Sequence, residues 1–382
     1  MAAQISRYSA LIIAASMLAS GSPTSASPNL NAVIEVGSKG VKATVFKIDP
    51  EELRHTIGNQ GESDARFLLL NQAIYRRFSE IETSAILREG AEQTIAAVLE
   101  FENVIRRDFG ASSTFIVASS GATRAPNFAE LKSRIEDATH LKLDVLDAAQ
   151  ECSLTFRWIV PRIHRQDAVL VDIGSGNTKG CYEEASGPLG KRMHAFELLP
   201  FGTVNFARYA ADRLPLAPGQ ELDTQKARSV RDAVLIPAIR RMRDVHVGLL
   251  SKRTLYLSGG AAWMLAAATH PTSANSNWTR LLQGDLAMWK NRIESSTECP
   301  NDPTKNTPLI DPNLTAEALR TCEVFNREQR VAAYSIVSAI NMELRALCDY
   351  PDCKNMVAFA GVARDAWRNE YFIEKLLNLP RQ

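Results

Sequence analysis

The sequence is short of net charge, of metal-clustering motifs and of apolar runs long enough to span a bilayer. Its 382 residues carry 44 lysines and arginines against 43 acids, a formal charge of +1. Nucleic acid and anionic membrane, when held mainly by a protein's overall field, select a basic excess. None is present here, so an anionic ligand must be gripped locally. No CxxC pair occurs and the six histidines are scattered, which argues against zinc. The apolar run Ala10 to Ala19 falls short of the roughly 20 residues a spanning helix needs, so no stable membrane insertion is expected. With 45% hydrophobic and 23% charged residues, the chain is neither disordered, collagen-like nor a polytopic membrane protein.

What is present begins with an export signal. Arg7, the only charge before Glu35, precedes that apolar run, and small residues follow it as far as Thr24-Ser25-Ala26. This pattern predicts cleavage after Ala26 and a secreted or periplasmic protein. Removal of Arg7 leaves 43 charges of each sign. In an oxidising compartment Cys299 with Cys322 and Cys348 with Cys353 are reasonable disulfides, although six cysteines allow about 15 pairings. Cys152 and Cys181 lie in apolar segments and are expected to be free and buried.

The length predicts two or three domains. Residues 31–48 read as two strands joined by a Gly-Ser-Lys-Gly turn. Phe78 to Arg107 has helical spacing, Thr114 to Ala118 and Leu141 to Leu146 read as strands, and Asn127 to Ala138 and Ala148 to Val160 as helices. This alternation makes the chain α/β. At Ala168 to Tyr182 the opening design recurs: an apolar strand, an acid, one hydrophobe and a Gly-Ser turn. Glu35 with Gly37-Ser38 and Asp172 with Gly174-Ser175 stand 137 residues apart, which points to a duplicated fold. Each turn could aim backbone N–H groups at a phosphate beside a carboxylate available to a cation.

These two loops resemble the phosphate-binding motifs of the superfamily of actin, the large heat-shock chaperones and sugar kinases, and the text between them is similar to the exopolyphosphatase and guanosine pentaphosphate phosphatase (Ppx/GppA) branch. Ser120-Gly121-Ala122-Thr123-Arg124-Ala125-Pro126-Asn127 resembles that branch's Ser/Thr-x-x-Arg-x-Ala-x-Asn. Asp147-Ala148-Ala149-Gln150-Glu151-Cys152 stands where it has Ser-Gly-x-Glu-Glu-Ala. Asp172-Ile173-Gly174-Ser175-Gly176-Asn177-Thr178 is similar to its Asp-Ile-Gly-Gly-Gly-Ser-Thr. Gly202-Thr203-Val204 and Ser258-Gly259-Gly260 fall where it has a Gly-x-Val turn and a Ser-Gly-Thr segment. The likeness covers about Ala32 to Ala266.

The resemblance implies two ribonuclease-H-like (actin-like ATPase) lobes around a cleft, hydrolysing terminal phosphoanhydrides of polyphosphate or a nucleotide. The expected organisation is a signal peptide over 1–26, a first lobe over 27–162 that a C-terminal helix over 365–382 could complete, and a second lobe over 163–364 with a polar insertion at 269–312. Glu151 would activate water as general base, and Arg124 would hold phosphate oxygens as a planar fork. Gly37, Ser38, Lys39, Gly174, Ser175, Gly176, Asn177 and Thr178 would cradle phosphate, and Glu35 and Asp172 would hold Mg²⁺ or Mn²⁺.

Several departures weigh against a simple transfer of function. Glu35 replaces the family's Asp, Gln150 its first Glu, and Asn177 its Ser. Lys39, Lys42 and Lys179 read as solvated, with only Lys39 placed to meet a ligand. The chain ends without the extra helical domain of longer polyphosphatases, which favours a short substrate. Glu151 could instead be a helix N-terminal acid stabilised by the dipole, and Arg124 an ion-pair residue. A phosphate-, polyphosphate- or nucleotide-binding accessory protein is the rival reading, a superfamily kinase the third. Oligomeric state stays open, a homodimer included.

Overall fold

The computed structural model describes residues 27–81, 88–186, 190–214, 222–270, 279–295, 321, 324–346, 356–359 and 365–379. The expected signal segment, both expected cysteine pairs and much of the expected 269–312 insertion lie outside the described residues. The first sheet is formed by β1 (Ser27–Gly37), β2 (Gly40–Lys47), β3 (Ala73–Glu80), β4 (Ala111–Ala118) and β5 (Leu143–Val145), in the order β3-β2-β1-β4-β5. β1 to β3 pair antiparallel, while β4 and β5 extend the sheet parallel to β1.

The second sheet comprises β6 (Ala168–Ile173), β7 (Thr178–Ser186), β8 (Gly190–Leu199), β9 (Thr254–Ser258), β10 (Thr279–Arg280) and β11 (Met356–Phe359). Its order is β10-β11-β9-β6-β7-β8. From the other edge, β8-β7-β6-β9-β11 repeats the first sheet strand for strand, with the same antiparallel and parallel pairings. The duplication inferred from two turns thus extends through both sheets. The sixth strand, β10, is a two-residue antiparallel addition to β11 contributed by the insertion.

Alternation along β1 and β6 decides which side chains meet. Ala32, Ile34 and Val36 face the outer core of the first sheet, while Val33 faces the layer between the sheets. In β6, Val169, Val171 and Ile173 join the second lobe's outer core, and Ala168 and Leu170 the same middle layer. Glu35 and Asp172 share the parity of the middle-layer residues, so both acids stand on the inner faces at the strands' carboxyl ends. Open α/β sheets place ligands in this crevice.

Four helices contribute to the middle layer: Pro50–Asn59, Glu62–Asn71, Ala148–Ile159 and the C-terminal helix Ala366–Leu377. The C-terminal helix docks on the first sheet, where Phe372 stacks on Phe46 at 4.8 Å and meets Phe115 edge-on at 6.0 Å.

Three expectations are corrected. Phe78 to Glu80 belong to β3, and the described helix spans Arg88–Val104. β3 is an edge strand with mostly exposed side chains, so its conformation comes from pairing with β2 and leaves no clean alternation in the text. The described part of the insertion is not merely polar. Helix Gln283–Ser295 buries Trp289 and Ile293 in the second lobe's core. Finally, Cys152 and Cys181 are not free but form a disulfide, with Cα atoms 6.1 Å apart. Packing of the helix on β7 brings them within bridging range, which spacing along the chain cannot reveal.

This bridge closes a 29-residue separation and staples the helix to β7. Replacing both cysteines by alanine should lower stability by about 2–4 kcal/mol, read as a lower urea midpoint.

Candidate functional site

A cleft of about 690 Å³ lies between the lobes, lined by both Gly-Ser loops together with Glu35, Glu151 and Asp172. The loops touch: a Cβ on Gly176 would fall 2.9 Å from the Gly121 Cα and 3.2 Å from the Ser38 hydroxyl. Only a residue without a side chain permits so close an approach of one lobe's backbone to the other's.

The second loop is held from behind by the start of helix Thr203–Arg213. The Thr203 and Val204 N–H groups donate to the Gly174 and Ser175 carbonyls (3.1 and 3.0 Å), and Asn205 Nδ2 donates to the Gly176 carbonyl at 2.8 Å. Those bonds account for the Gly-x-Val segment. The Gly174 N–H closes the turn on the Asn177 carbonyl at 3.0 Å, which removes it from the donors available to a ligand.

Glu151 stands in the first turn of its helix. Asp147 caps that helix by accepting from the Gln150 N–H at 2.7 Å, and Gln150 Oε1 accepts from the Asp147 N–H at 3.0 Å. Gln150 therefore completes a capping box. Glu151 Oε2 accepts from the Ser120 N–H at 3.0 Å and from the Ser120 hydroxyl, and Oε1 accepts from Lys179 Nζ at 2.6 Å. The same ammonium donates to Asp172 Oδ2 at 2.9 Å, while Ser258 Oγ donates to Asp172 Oδ1 at 2.6 Å.

Lys179 is thus a buried bridge and not the solvated residue its surroundings in sequence imply. Its side chain is 3% exposed. Burial alone would lower its pKa, but Asp172 and Glu151 outweigh that and raise it. Sequence reasoning missed this residue although a signal existed. In each hairpin the acid lies directly opposite a lysine seven residues later, Glu35 opposite Lys42 and Asp172 opposite Lys179, and directly opposed side chains share a face.

Around Glu35 the pattern is looser. Lys42 Nζ lies 3.6 Å and Arg368 Nη1 3.7 Å from its carboxylate. Burial pushes the Glu35 carboxyl above its ordinary value, and the two cations only partly offset this. Asp365 anchors the same cluster through Arg368 at 3.0 Å and Lys42 at 3.5 Å. Burial would raise its pKa, yet Arg368 and Lys42 hold it at about 2.

The remaining candidates divide. Ser38, Lys39, Ser175, Gly176 and Asn177 line the cleft with Gly37 and Gly174. Lys39 Nζ sits 4.2 Å over the Phe325 ring, 3.2 Å from Gln329 and 3.3 Å from Glu80, and burial lowers its pKa against the pull of Glu80. Asn177 Nδ2 donates to Ser120 Oγ at 3.1 Å and Glu197 Oε1 at 2.9 Å. Arg124 and Thr178 are not among the cleft-lining residues. Arg124 pairs with Glu197 and donates to the Pro200 carbonyl at 3.1 Å, an interlobe tie, and the Thr178 hydroxyl donates to the Phe201 carbonyl at 2.8 Å.

The expected Mg²⁺ or Mn²⁺ finds a poor donor set. Both Asp172 oxygens already accept hydrogen bonds, one from an ammonium, and Glu35 has two cations beside it. Among the described residues no group of three or more His, Cys, Asp and Glu side chains could hold a metal. A divalent ion prefers about six oxygens with no fixed cation at contact distance, and no catalytic step is derived through one.

Two lobes of duplicated topology around a cleft define the actin-like class. Within it, the Ppx/GppA phosphatase family profile matches residues 73–291, and the chain belongs to that family. Its fold is similar to the Ppx/GppA phosphatase of Aquifex aeolicus, type II variant, at TM-score 0.57 and 16% identity, covering 90% of this chain and 98% of that one. An exopolyphosphatase from Cytophaga hutchinsonii is similar at TM-score 0.60 and 14% identity, covering 92% and 99% respectively. No curated protein matches significantly.

Two measurements check this electrostatic picture. Lys179→Met strands two buried carboxylates and should cost about 3–5 kcal/mol of stability, read by urea unfolding. Asp365 has a folded pKa near 2, below its ordinary 3.8, so its contribution is present above that ordinary value and lost as pH falls toward the folded one. Asp365→Asn should flatten the acid limb of the stability profile there.

Proposed function

We propose that the cleft hydrolyses a terminal phosphoanhydride of a short polyphosphate or a nucleoside tri- or pentaphosphate. The observation that carries this reading is the Glu151 carboxylate in the cleft wall beside both Gly-Ser loops. Its Oε1 accepts one hydrogen bond, from Lys179, and a carboxylate oxygen has a second lone pair for a water. Water bound there loses a proton to Glu151 as its oxygen bonds to the terminal phosphorus. The bridging P–O bond breaks, releasing orthophosphate and a chain one phosphate shorter. Ser38, Lys39 and the Ser175 to Asn177 segment hold the phosphate oxygens, and Arg124, tied to Glu197, keeps the lobes in register.

Export to a secreted or periplasmic location belongs to the same proposal. It is supported by the signal-like first 26 residues and by the Cys152–Cys181 disulfide, which persists in oxidising compartments. Among the described residues no helix is long and apolar enough to cross a membrane.

One observation favours a second reading. Lys179 and Ser120 together engage both oxygens of Glu151, which suits a protein that binds phosphate chains and turns them over slowly. The test is phosphate release by the mature protein from tripolyphosphate, a nucleoside triphosphate and guanosine pentaphosphate, with and without Mg²⁺ or Mn²⁺. Glu151→Gln should cut the rate by about 10²–10⁴-fold. Tight binding with no turnover in either protein would select the binding role.

A further inference from the structure

The ten ionisable residues lining the cleft have an unusual balance. Glu35, Glu151, Asp172 and Asp365 are the acids, against Lys39, Lys42, Arg76, Arg77, Lys179 and Arg368. Six cations against four acids give this region a charge of +2 within a chain that is almost neutral overall. The supply of positive charge is built into the protein and organised in pairs. Each strand-end acid has a lysine opposite it across its own hairpin, and in the second lobe that lysine also grips Glu151.

We propose that the Lys179 ammonium is the resident cation of this site, taking the place at Asp172 where a divalent metal would otherwise bind, so that phosphate is held without metal. The inference rests on reading the cleft as a phosphate site. Lys179 has the position: it contacts the acid at the end of β6 and the carboxylate of Glu151 at once, at 2.9 and 2.6 Å. An ammonium has three N–H donors, and these two bonds leave one for a ligand oxygen in the cleft it lines. It also has rigidity. Cys181, two residues along β7, is bridged to Cys152, the neighbour of Glu151, so the disulfide ties together the strand and the helix that the lysine joins. A metal arriving at Asp172 would meet a fixed positive charge already hydrogen-bonded to the oxygen it needs, and like charges at contact distance repel.

The test uses the mature protein and inorganic tripolyphosphate. Calorimetric titration after exhaustive chelation should give a dissociation constant within about threefold of that measured with Mg²⁺ present. Mn²⁺ alone should show no saturable protein-bound signal by electron paramagnetic resonance. Lys179→Gln, its fold checked by circular dichroism, should weaken tripolyphosphate binding by about tenfold or more under chelation. Lys179→Glu should create a Mn²⁺ signal that the wild type lacks. Binding that appears only when Mg²⁺ or Mn²⁺ is added, or a wild-type Mn²⁺ signal abolished by Asp172→Asn, would overturn the proposal while leaving the phosphate cleft intact. Absence of tripolyphosphate binding under every condition would instead defeat the phosphate reading, and this inference with it. The wild-type arms decide the matter even if a Lys179 variant fails to fold.

Discussion

The structure turns on one buried ammonium. Lys179 joins Glu151, from the helix between the sheets, to Asp172, from the central strand of the second sheet. Neither carboxylate could be buried alone at tolerable cost, because an unpaired charge in a dry interior is strongly disfavoured. The pairing therefore constrains more than itself. It sets how the helix sits on the hairpin, which brings Cys152 to Cys181. It also places Ser120, at the end of the first sheet's β4, against the same carboxylate. A shift of any one of these elements would leave a charge without its partner.

The same interaction organises the cleft's electrostatics. A protein with nearly equal numbers of acids and bases has little long-range field with which to draw in an anion. Local arrangement substitutes for that field. Cations from both lobes and from the C-terminal helix converge where the Gly-Ser loops meet, and the acids among them serve to hold those cations in place. The duplicated hairpins carry this arrangement in both lobes, tight at Asp172 and looser at Glu35, whose nearest cations stand 3.6 and 3.7 Å away. The first lobe's acid is thus the less committed of the two.

Local pattern was legible wherever a property repeats along the chain. The alternation of β1 and β6, the acid and Gly-Ser turn after each, and the helix bearing Glu151 all appear in the text; from them came the α/β class and the duplication, while the two lobes and the placing of Glu35, Glu151, Asp172 and the loop residues in one cleft came from the family resemblance. The edge strand β3 was misread as the start of a helix, because its pairing with β2, and not its own residues, holds it extended. Lys179 was taken for a solvated residue although hairpin register places it opposite Asp172. The register was readable, but the helix that closes over the lysine was not.

The sequence by itself determined the duplication, the loops, the acid at each strand end and the lysine seven residues beyond it, since these depend on periods of two residues and on turns of a few. Tertiary structure alone decided which charges meet. Arg124 turns to Glu197 across the lobes, Arg368 returns from the C-terminal helix to Glu35, and Cys152 finds Cys181. Each contact joins residues tens to hundreds of positions apart, and their proximity follows from how helices and sheets bury their apolar faces together, a property of the packed whole that no local spacing encodes.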